Sequence, residues 1–141
     1  MAERLRVSWK WKPVKSKCFG DIAKPVARVF LLSEAGTWIE FWPMVDSGAV
    51  ISLFNKSECE ILGLELEKGQ PCQLKGAAGN HPLDTFVHPV KMSIGGDTFN
   101  TRVAFAIDDE HEQLLGRLDV FESWEVDLRG KLPYTSLTRE N

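Results

Sequence analysis

Residues 44–49 read MVDSGA, an aspartate at the end of an apolar run that is followed at once by serine and glycine. The preceding residues 36–44, GTWIEFWPM, are typical of a strand that enters a protein interior. An ionised carboxylate is costly there unless other groups hold it. Asp46 therefore either opens an ordinary turn after the strand or is a carboxylate retained for chemistry.

The chain has the length and composition of one globular domain. Its 141 residues are enough to bury one core, and 43% hydrophobic with 26% charged residues exclude wholesale disorder. The net charge of −3 gives no global reason to expect binding to nucleic acid or to an anionic membrane. The charge is uneven, however, because residues 1–17 carry +5 and the remainder carries −8.

Cysteine usage and hydropathy predict a cytoplasmic protein. Cys18, Cys59 and Cys72 match no zinc or redox spacing, and their odd number disfavours a disulfide framework. The N-terminus lacks the apolar stretch of a signal peptide. No segment approaches the roughly 18 apolar residues of a membrane span, so we expect no membrane association.

Strand patterns dominate the sequence. Three pairs of strand-like segments are joined by short glycine-containing connections, which predicts three hairpins. They are residues 26–33 with 37–45 around EAG, residues 84–94 with 98–107 around GGD, and the two halves of 124–134 around Arg129-Gly130.

Helical patterns are few and short. Asn55 is a suitable N-cap, Glu58 stands at capping-box spacing from it, and Gly63 marks the end of that helix. A second short helix is predicted at residues 117–124. One or two short helices among six or more strands predict an all-β fold, a small barrel or sandwich.

Residues 1–24 form a basic N-terminal arm or extra strand ahead of a main domain at residues 25–141. Tryptophan interleaved with lysine could stack bases and neutralise phosphates. The side chains alternate between an apolar and a polar face, in the order Val7, Ser8, Trp9, Lys10, Trp11, Lys12. This alternation and the acidic remainder favour an amphipathic strand, while a β-barrel that binds nucleic acid through this arm stays an alternative.

Metal and nucleophile patterns have little support. His81, His88 and His111 have no helical partner four residues away and no nearby cysteine pair, so no metal or other cofactor is predicted. Ser47 lacks the Gly-x-Ser-x-Gly elbow that exposes a nucleophilic serine. No local signature supports a cysteine–histidine nucleophile either.

Neighbouring features change the interpretation of Asp46. Apolar residues bracket the Asp-Ser-Gly triplet, a glycine-bearing stretch at residues 75–80, KGAAGN, follows, and residues 114–121, LLGRLDVF, repeat the pattern of strand, glycine and charged helix start. Together with LGL at residues 62–64, this ordered set resembles the retropepsin-like (clan AA) aspartic proteases, especially the short bacterial single-domain form. The resemblance covers residues 25–137 and implies a small closed β-barrel with one or two short helices.

The resemblance implies that Asp46 is catalytic. In that family two such carboxylates share a proton and activate a water that attacks the scissile carbonyl, since adjacent carboxylates cannot both ionise. This chain has no second Asp-Ser/Thr-Gly triplet, so the second carboxylate has to come from another copy across a two-fold axis. The implied protein is an aspartic endopeptidase, active as a homodimer on peptide or protein substrates.

The resemblance also assigns the loop and the flap. Ser47 would brace the two active-site loops against each other, Gly48 would permit a tight turn, and Ala49 would line the substrate groove. The flap that closes over the peptide and excludes water falls on Gly76, Ala77, Ala78 and Gly79.

Residues near the LLGR motif complete the implied site. Leu114 would face a substrate pocket, and Gly116 with Arg117 would support the active-site loop from behind. Retroviral members usually carry an acidic residue directly after the alanine, where it pairs with this arginine. This chain has Val50 there, so Arg117 has to find another carboxylate or lie exposed. Val50 and the plain flap keep an alternative open, a catalytically silent dimeric module for peptide binding or assembly.

Overall fold

The computed structural model describes residues 4–75 and 81–140, which form thirteen strands and one α-helix. The strands are β1 (Arg4–Lys10), β2 (Lys12–Ser16), β3 (Gly20–Lys24), β4 (Val29–Leu32), β5 (Trp38–Phe41), β6 (Met44–Val45), β7 (Ser52–Phe54), β8 (Gln70–Leu74), β9 (Leu83–Ile94), β10 (Asp97–Ala106), β11 (Leu114–Leu115), β12 (Glu125–Arg129) and β13 (Tyr134–Glu140). Helix α1 spans Lys56–Ile61, a 3₁₀ turn spans Leu66–Lys68, and a distorted helical turn spans Arg117–Phe121. This content confirms the predicted all-β class with short helices.

Eight strands form one sheet that curls into a half-barrel. Neighbouring strands follow the order β5-β4-β9-β10-β7-β11-β6, and β8 pairs with β9 outside this path. The pairs β10–β7 and β11–β6 are parallel. Because β6 and β11 run in the same direction, the residues that follow each of them lie at the same end of the sheet.

The hairpin of β9 and β10 is the longest ladder of the sheet. The two strands pair from Asp97 opposite Ile94 to Ala106 opposite Thr85. Gly95 and Gly96 form the two-residue turn with φ of 59° and 85°, a left-handed conformation at both positions that suits the twist of the strands. The hairpin predicted at residues 84–94 and 98–107 is confirmed.

The first predicted hairpin is confirmed as β4 paired with β5, but its second strand is shorter than predicted. The segment 37–45 is broken after Phe41, and β6 is a separate strand paired with β11. Proline has no N–H to donate to a ladder, so Pro43 ends the pairing of β5. Its carbonyl oxygen instead accepts a hydrogen bond from Ala27 N–H at 3.1 Å.

A separate three-stranded sheet has the order β1-β13-β12. Of the hairpin predicted at residues 124–134, the first strand and the turn after Arg129 are confirmed as β12 and its loop, but the second strand, β13, begins only at Tyr134 and runs to Glu140. Along β1 the burial alternates residue by residue, which confirms the amphipathic strand pattern. Leu5, Val7 and Trp9 pack against the core, so part of the N-terminal arm belongs to the folded body.

The core has two clusters of buried apolar side chains. The larger one joins both sheets and includes Phe54, Phe105, Leu115 and Leu137, all of them fully buried. The smaller one consists of Ile51, Leu53, Ala104 and Ala106, on or next to β7 and β10, where the strand positions alternate with those of the larger cluster.

Helix α1 begins and ends where the sequence predicts. Glu58 reaches back so that its carboxylate accepts the Asn55 N–H at 3.2 Å, as in a capping box. The helix ends at Ile61, and Gly63 follows with φ of 76°. Within the two described ranges, 4–75 and 81–140, no helix is long and apolar enough to cross a membrane.

Candidate active site

Asp46 directly follows the two-residue strand β6, and hydrogen bonds to the β11 segment fix its backbone. Met44 N–H donates to Gln113 O at 2.8 Å, and Asp46 N–H donates to Leu115 O at 3.0 Å. Residues 113–115, at the start of the LLGR motif, therefore hold β6, the strand that precedes Asp46.

The triplet after β6 folds into a tight turn around the aspartate. Gly48 N–H donates to Asp46 Oδ1 at 2.9 Å, and Ala49 N–H donates to Asp46 O at 3.1 Å. A Cβ on Gly48 would stand only 3.2 Å from Asp46 Oδ1, so a side chain there would crowd the carboxylate. In the described part of the chain no hydrogen bond engages Asp46 Oδ2.

The segment after β11 supports the turn through its backbone. Arg117 N–H donates to Ala49 O at 3.0 Å, and Gly116 N–H donates to Ser52 Oγ at 3.0 Å. Gly116 is buried so closely that a Cβ would stand 2.4 Å from the carbonyl carbon of Ile51. Real Cβ atoms do not approach backbone this closely, so glycine is required here for close packing.

A groove of about 630 Å³ opens beside Asp46. Its walls are mainly apolar and include Ala49, Ile51, Leu53, Leu74, Leu83 and Leu114. Lys75, His81 and His111 add polar groups to the lining. A concave, mostly apolar surface with a few polar groups is the usual form of a ligand site.

The predicted site residues differ in whether they line the groove or are exposed to solvent. Ala49 and Leu114 line the groove beside Asp46. Ser47 is exposed, and Val50 is 52% exposed. The Arg117 side chain is exposed and forms no ion pair with a carboxylate of the described residues, so only its backbone supports the turn.

A solved structure aligns with nearly the whole chain. A retropepsin-like aspartic protease from Rickettsia conorii aligns with 99% of this chain and 95% of its own, with a TM-score of 0.65 and 16% sequence identity. The chain has the retropepsin-like fold. EIAV protease complexed with the inhibitor HBY-793 aligns with 74% of this chain and 88% of its own, with a TM-score of 0.49 and 23% identity. No protein-family model and no curated protein matches the sequence.

The predicted flap, Gly76, Ala77, Ala78 and Gly79, lies outside the described residues. In the retropepsin-like fold of this chain, the strands before and after it are β8 and β9, which pair from Gln70 opposite Val87 to Leu74 opposite Leu83. The flap role stays a prediction.

An ion pair that the sequence does not predict fixes the segment after Gly116. Arg102 Nε donates to Asp119 Oδ2 at 2.8 Å, Nη2 donates to Oδ1 at 2.9 Å, and the Arg102 N–H donates to Oδ2 at 3.0 Å. These hydrogen bonds lower the pKa of Asp119. They hold Asp119 at φ of 66°, which interrupts the helix predicted at residues 117–124. No sequence signal links two residues 17 positions apart on different elements.

A buried polar network behind the groove was also missed. The Asn55 side chain donates Nδ2 to His111 O at 2.7 Å and accepts the His111 N–H at 3.0 Å. Glu58 Oε1 accepts Gln113 Nε2 at 3.1 Å, and Gln113 O in turn holds Met44. The capping residues of α1 thus position both a wall of the groove and the strand before Asp46.

Other nucleophiles and ligands are poorly placed for chemistry. Burial raises the pKa of the Cys59 thiol to about 11, so it stays protonated at neutral pH. His88 is buried, and its Nε2 lies 3.0 Å from Leu66 O. Among residues 4–75 and 81–140, no group of three or more histidine, cysteine, aspartate or glutamate side chains could hold a metal ion.

Proposed function

We propose that this chain is an aspartic endopeptidase that acts as a homodimer, with Asp46 as its catalytic residue. The observation that carries the proposal is the position of Asp46, half-buried at an apolar groove, with Oδ1 held by Gly48 N–H. The aspartic protease from Rickettsia conorii with the same fold supports this function. No cofactor is required for the reaction.

Two Asp46 carboxylates would meet across the two-fold axis of the dimer. Adjacent carboxylates cannot both ionise, so one keeps a proton while the other accepts one, and the pair titrates as a unit. The ionised carboxylate takes a proton from a water, and that water attacks the scissile carbonyl carbon. The protonated carboxylate donates its proton to the carbonyl oxygen. Collapse of the tetrahedral intermediate then breaks the C–N bond and the amine leaves with a proton.

The groove indicates the class of substrate. An extended peptide would lie in it, with backbone hydrogen bonds to the protein and side chains in alternating pockets. Because Ile51, Leu53 and Leu114 line the groove beside Asp46, we expect apolar side chains next to the bond that is cut. Ser47 would brace the two loops at the dimer axis, and residues 76–79 would close over the peptide. A cytoplasmic location belongs to the same proposal.

The decisive experiment measures cleavage of a peptide library by the full chain and by Asp46→Asn. An amide cannot serve as the shared acid and base, so the variant should lose activity by about a hundredfold or more. Asp127→Asn, an exposed aspartate on β12, is the matched control and should cleave like the wild type. Wild-type cleavage by Asp46→Asn would refute the proposal.

A second function keeps the groove without the chemistry: a dimeric module for peptide binding or assembly. The exposed Val50, where retroviral members carry an acidic residue, favours it. An inhibitor that mimics the tetrahedral intermediate distinguishes the two functions, because enzymes bind such mimics far more tightly than substrates. Tight binding that Asp46→Asn abolishes would favour the enzyme, and equal binding of inhibitor and plain peptide would favour the module.

A further inference from the structure

Among the described residues, the hairpin of β2 and β3 pairs with no third strand. It forms a two-stranded sheet of its own, with Lys12 opposite Lys24 and Ser16 opposite Gly20. Every residue from Lys12 to Ala23 is exposed or half-buried, and Phe19 at the tip is 80% exposed. A two-stranded hairpin without a third strand or a covering surface is marginally stable in water. Its exposed apolar side chains therefore indicate a surface that a partner covers.

Both ends of this hairpin are anchored, and one of them next to the candidate active site. Trp11 N–H donates to Pro133 O at 2.7 Å before β2 begins. After β3, Pro25 O accepts the Val45 N–H at 2.9 Å, one residue before Asp46. Hydrogen bonds therefore fix both ends of the hairpin, and one of them comes from β6, the strand that precedes Asp46.

The hairpin carries a strong positive charge. Segment 12–24 has four lysines and one aspartate, a net charge of +3. Lys24 at its base pairs with Glu112 of the same chain. Lys12, Lys15 and Lys17 form no ion pair with any carboxylate of the described residues. These three charges are available to a partner.

The matching negative surface lies on the same molecule, in the loop before β11. Segment 107–113 has four carboxylates and a net charge of −4. Asp109 and Glu110 form no ion pair within the part of the chain that the structure describes, although Asp109 Oδ1 accepts the Ser57 N–H at 2.7 Å. This loop also reaches the groove, because His111 belongs to its lining. Each copy therefore offers one basic hairpin and one acidic loop on either side of the Asp46 strand.

We infer that the β2–β3 hairpin clasps the second copy of this chain, with its lysines on the partner's acidic loop at segment 107–113. In a two-fold dimer the contact occurs twice, since the hairpin of each copy meets the loop of the other. Phe19 and Ile22 supply apolar area, and the opposite charges fix the partner and its orientation. The inference rests on the proposed homodimer and names the element that holds it together.

Charge reversal in the full chain tests the contact directly. Sedimentation equilibrium gives the dimer Kd of the wild type, of Lys15→Glu/Lys17→Glu, of Asp109→Lys/Glu110→Lys, and of the four changes combined. Each double variant should raise the Kd by about tenfold or more, because like charges then face each other. The combined variant should return to within about threefold of the wild-type Kd, since the pairs are restored with reversed sign.

Matched controls separate this contact from general charge and hydrophobicity. Lys68→Glu/Lys91→Glu changes the net charge equally at exposed lysines outside the hairpin and should leave the Kd unchanged. Phe19→Ser should raise the Kd, whereas Ile61→Ser, which alters a side chain 58% exposed on α1, should not. Thermal unfolding of each variant verifies that it is folded.

The outcomes distinguish this inference from the proposed function. A dimer that cleaves peptides and keeps its Kd in every hairpin variant would overturn the clasp and leave the enzyme proposal intact. A dimer that weakens and recovers as expected, but cleaves equally with Asp46→Asn, would support the clasp and refute the enzyme. A wild-type chain that stays monomeric at every concentration would overturn both.

Discussion

Arg102 on β10 holds Asp119, in the segment after Gly116, through two parallel side-chain hydrogen bonds of 2.8 and 2.9 Å. Bidentate pairs of this kind are among the stronger polar contacts in proteins because both the charge and the geometry match. The pair ties the longest hairpin of the sheet to the segment that supports the Asp46 turn. Loss of this ion pair should therefore alter the candidate active site and also lower the free energy of unfolding.

We predict that Asp119→Asn destabilises the protein and removes part of its dependence on pH. Hydrogen bonds from Arg102 lower the pKa of Asp119, so the unfolded chain binds this proton more readily than the folded one. The stabilisation is complete above the ordinary carboxyl pKa of about 3.9 and is lost as the pH falls through the lowered folded pKa. The measurement is urea unfolding of both proteins from neutral to acidic pH.

The wild-type free energy of unfolding should exceed that of Asp119→Asn near neutral pH, and the difference should shrink in acid. Asp127→Asn is the control, because Asp127 and its partner Arg129 are both exposed on one strand and such pairs contribute little. A difference between wild type and Asp119→Asn that stays constant down to the lowest pH would contradict the assignment.

Local patterns along the chain predicted most of the hairpins and the helix caps. Gly95-Gly96 and the Asn55–Glu58 pair are signals within a few residues, and such signals determine turns and caps through backbone preference alone. The proximity of LLGR to the Asp46 turn came from the family resemblance rather than from any local pattern. Its structural basis is the parallel pairing of β6 with β11.

The misses have a common physical cause. The pairs of Arg102 with Asp119 and of Asn55 with His111 join residues 17 and 56 positions apart, and each partner alone is an ordinary polar residue. Contacts of this kind depend on how strands stack in space, which period and propensity do not encode. Pro43 is a sequence signal for the break, because proline disrupts strand pairing. The apolar residues on both sides of it nevertheless favoured the prediction of one continuous strand at residues 37–45.

Gly116→Ala should be severely destabilising. The added Cβ would stand 2.4 Å from Ile51 C and 2.9 Å from Ser52 N, so the backbone of one strand has to move. Overpacking of this kind costs about 1–3 kcal/mol, and the same movement breaks the Gly116 hydrogen bond to Ser52 Oγ. Peptide cleavage should fall along with the free energy of unfolding.

The control for this substitution is Gly130→Ala in the β12–β13 loop. The nearest atom to a Cβ there is 3.9 Å away on Trp11, so the change should stay within about 0.5 kcal/mol of wild type. Denaturant unfolding measures both variants. Equal stability of Gly116→Ala and Gly130→Ala would show that the strands beside Gly116 can separate at little cost.

The last prediction concerns the N-terminal arm, because β1 contributes to the core. Trp9 is half-buried against the main cluster, and β1 pairs with β13 over seven residues. Trp9→Ala should cost about 2 kcal/mol, since a large apolar side chain loses its burial, whereas Lys10→Ala on the exposed face should cost less than about 0.5 kcal/mol.

A chain that begins at residue 25 extends the same test. Deleting residues 1–24 removes β1 and the β2–β3 hairpin, leaves an edge of β13 unpaired, and uncovers the apolar surface under Leu5, Val7 and Trp9. We expect this shortened chain to unfold at a lower denaturant concentration than Trp9→Ala or to aggregate through the open edge. A shortened chain as stable as wild type would show instead that residues 25–141 form the complete domain and that β1 only rests on its surface.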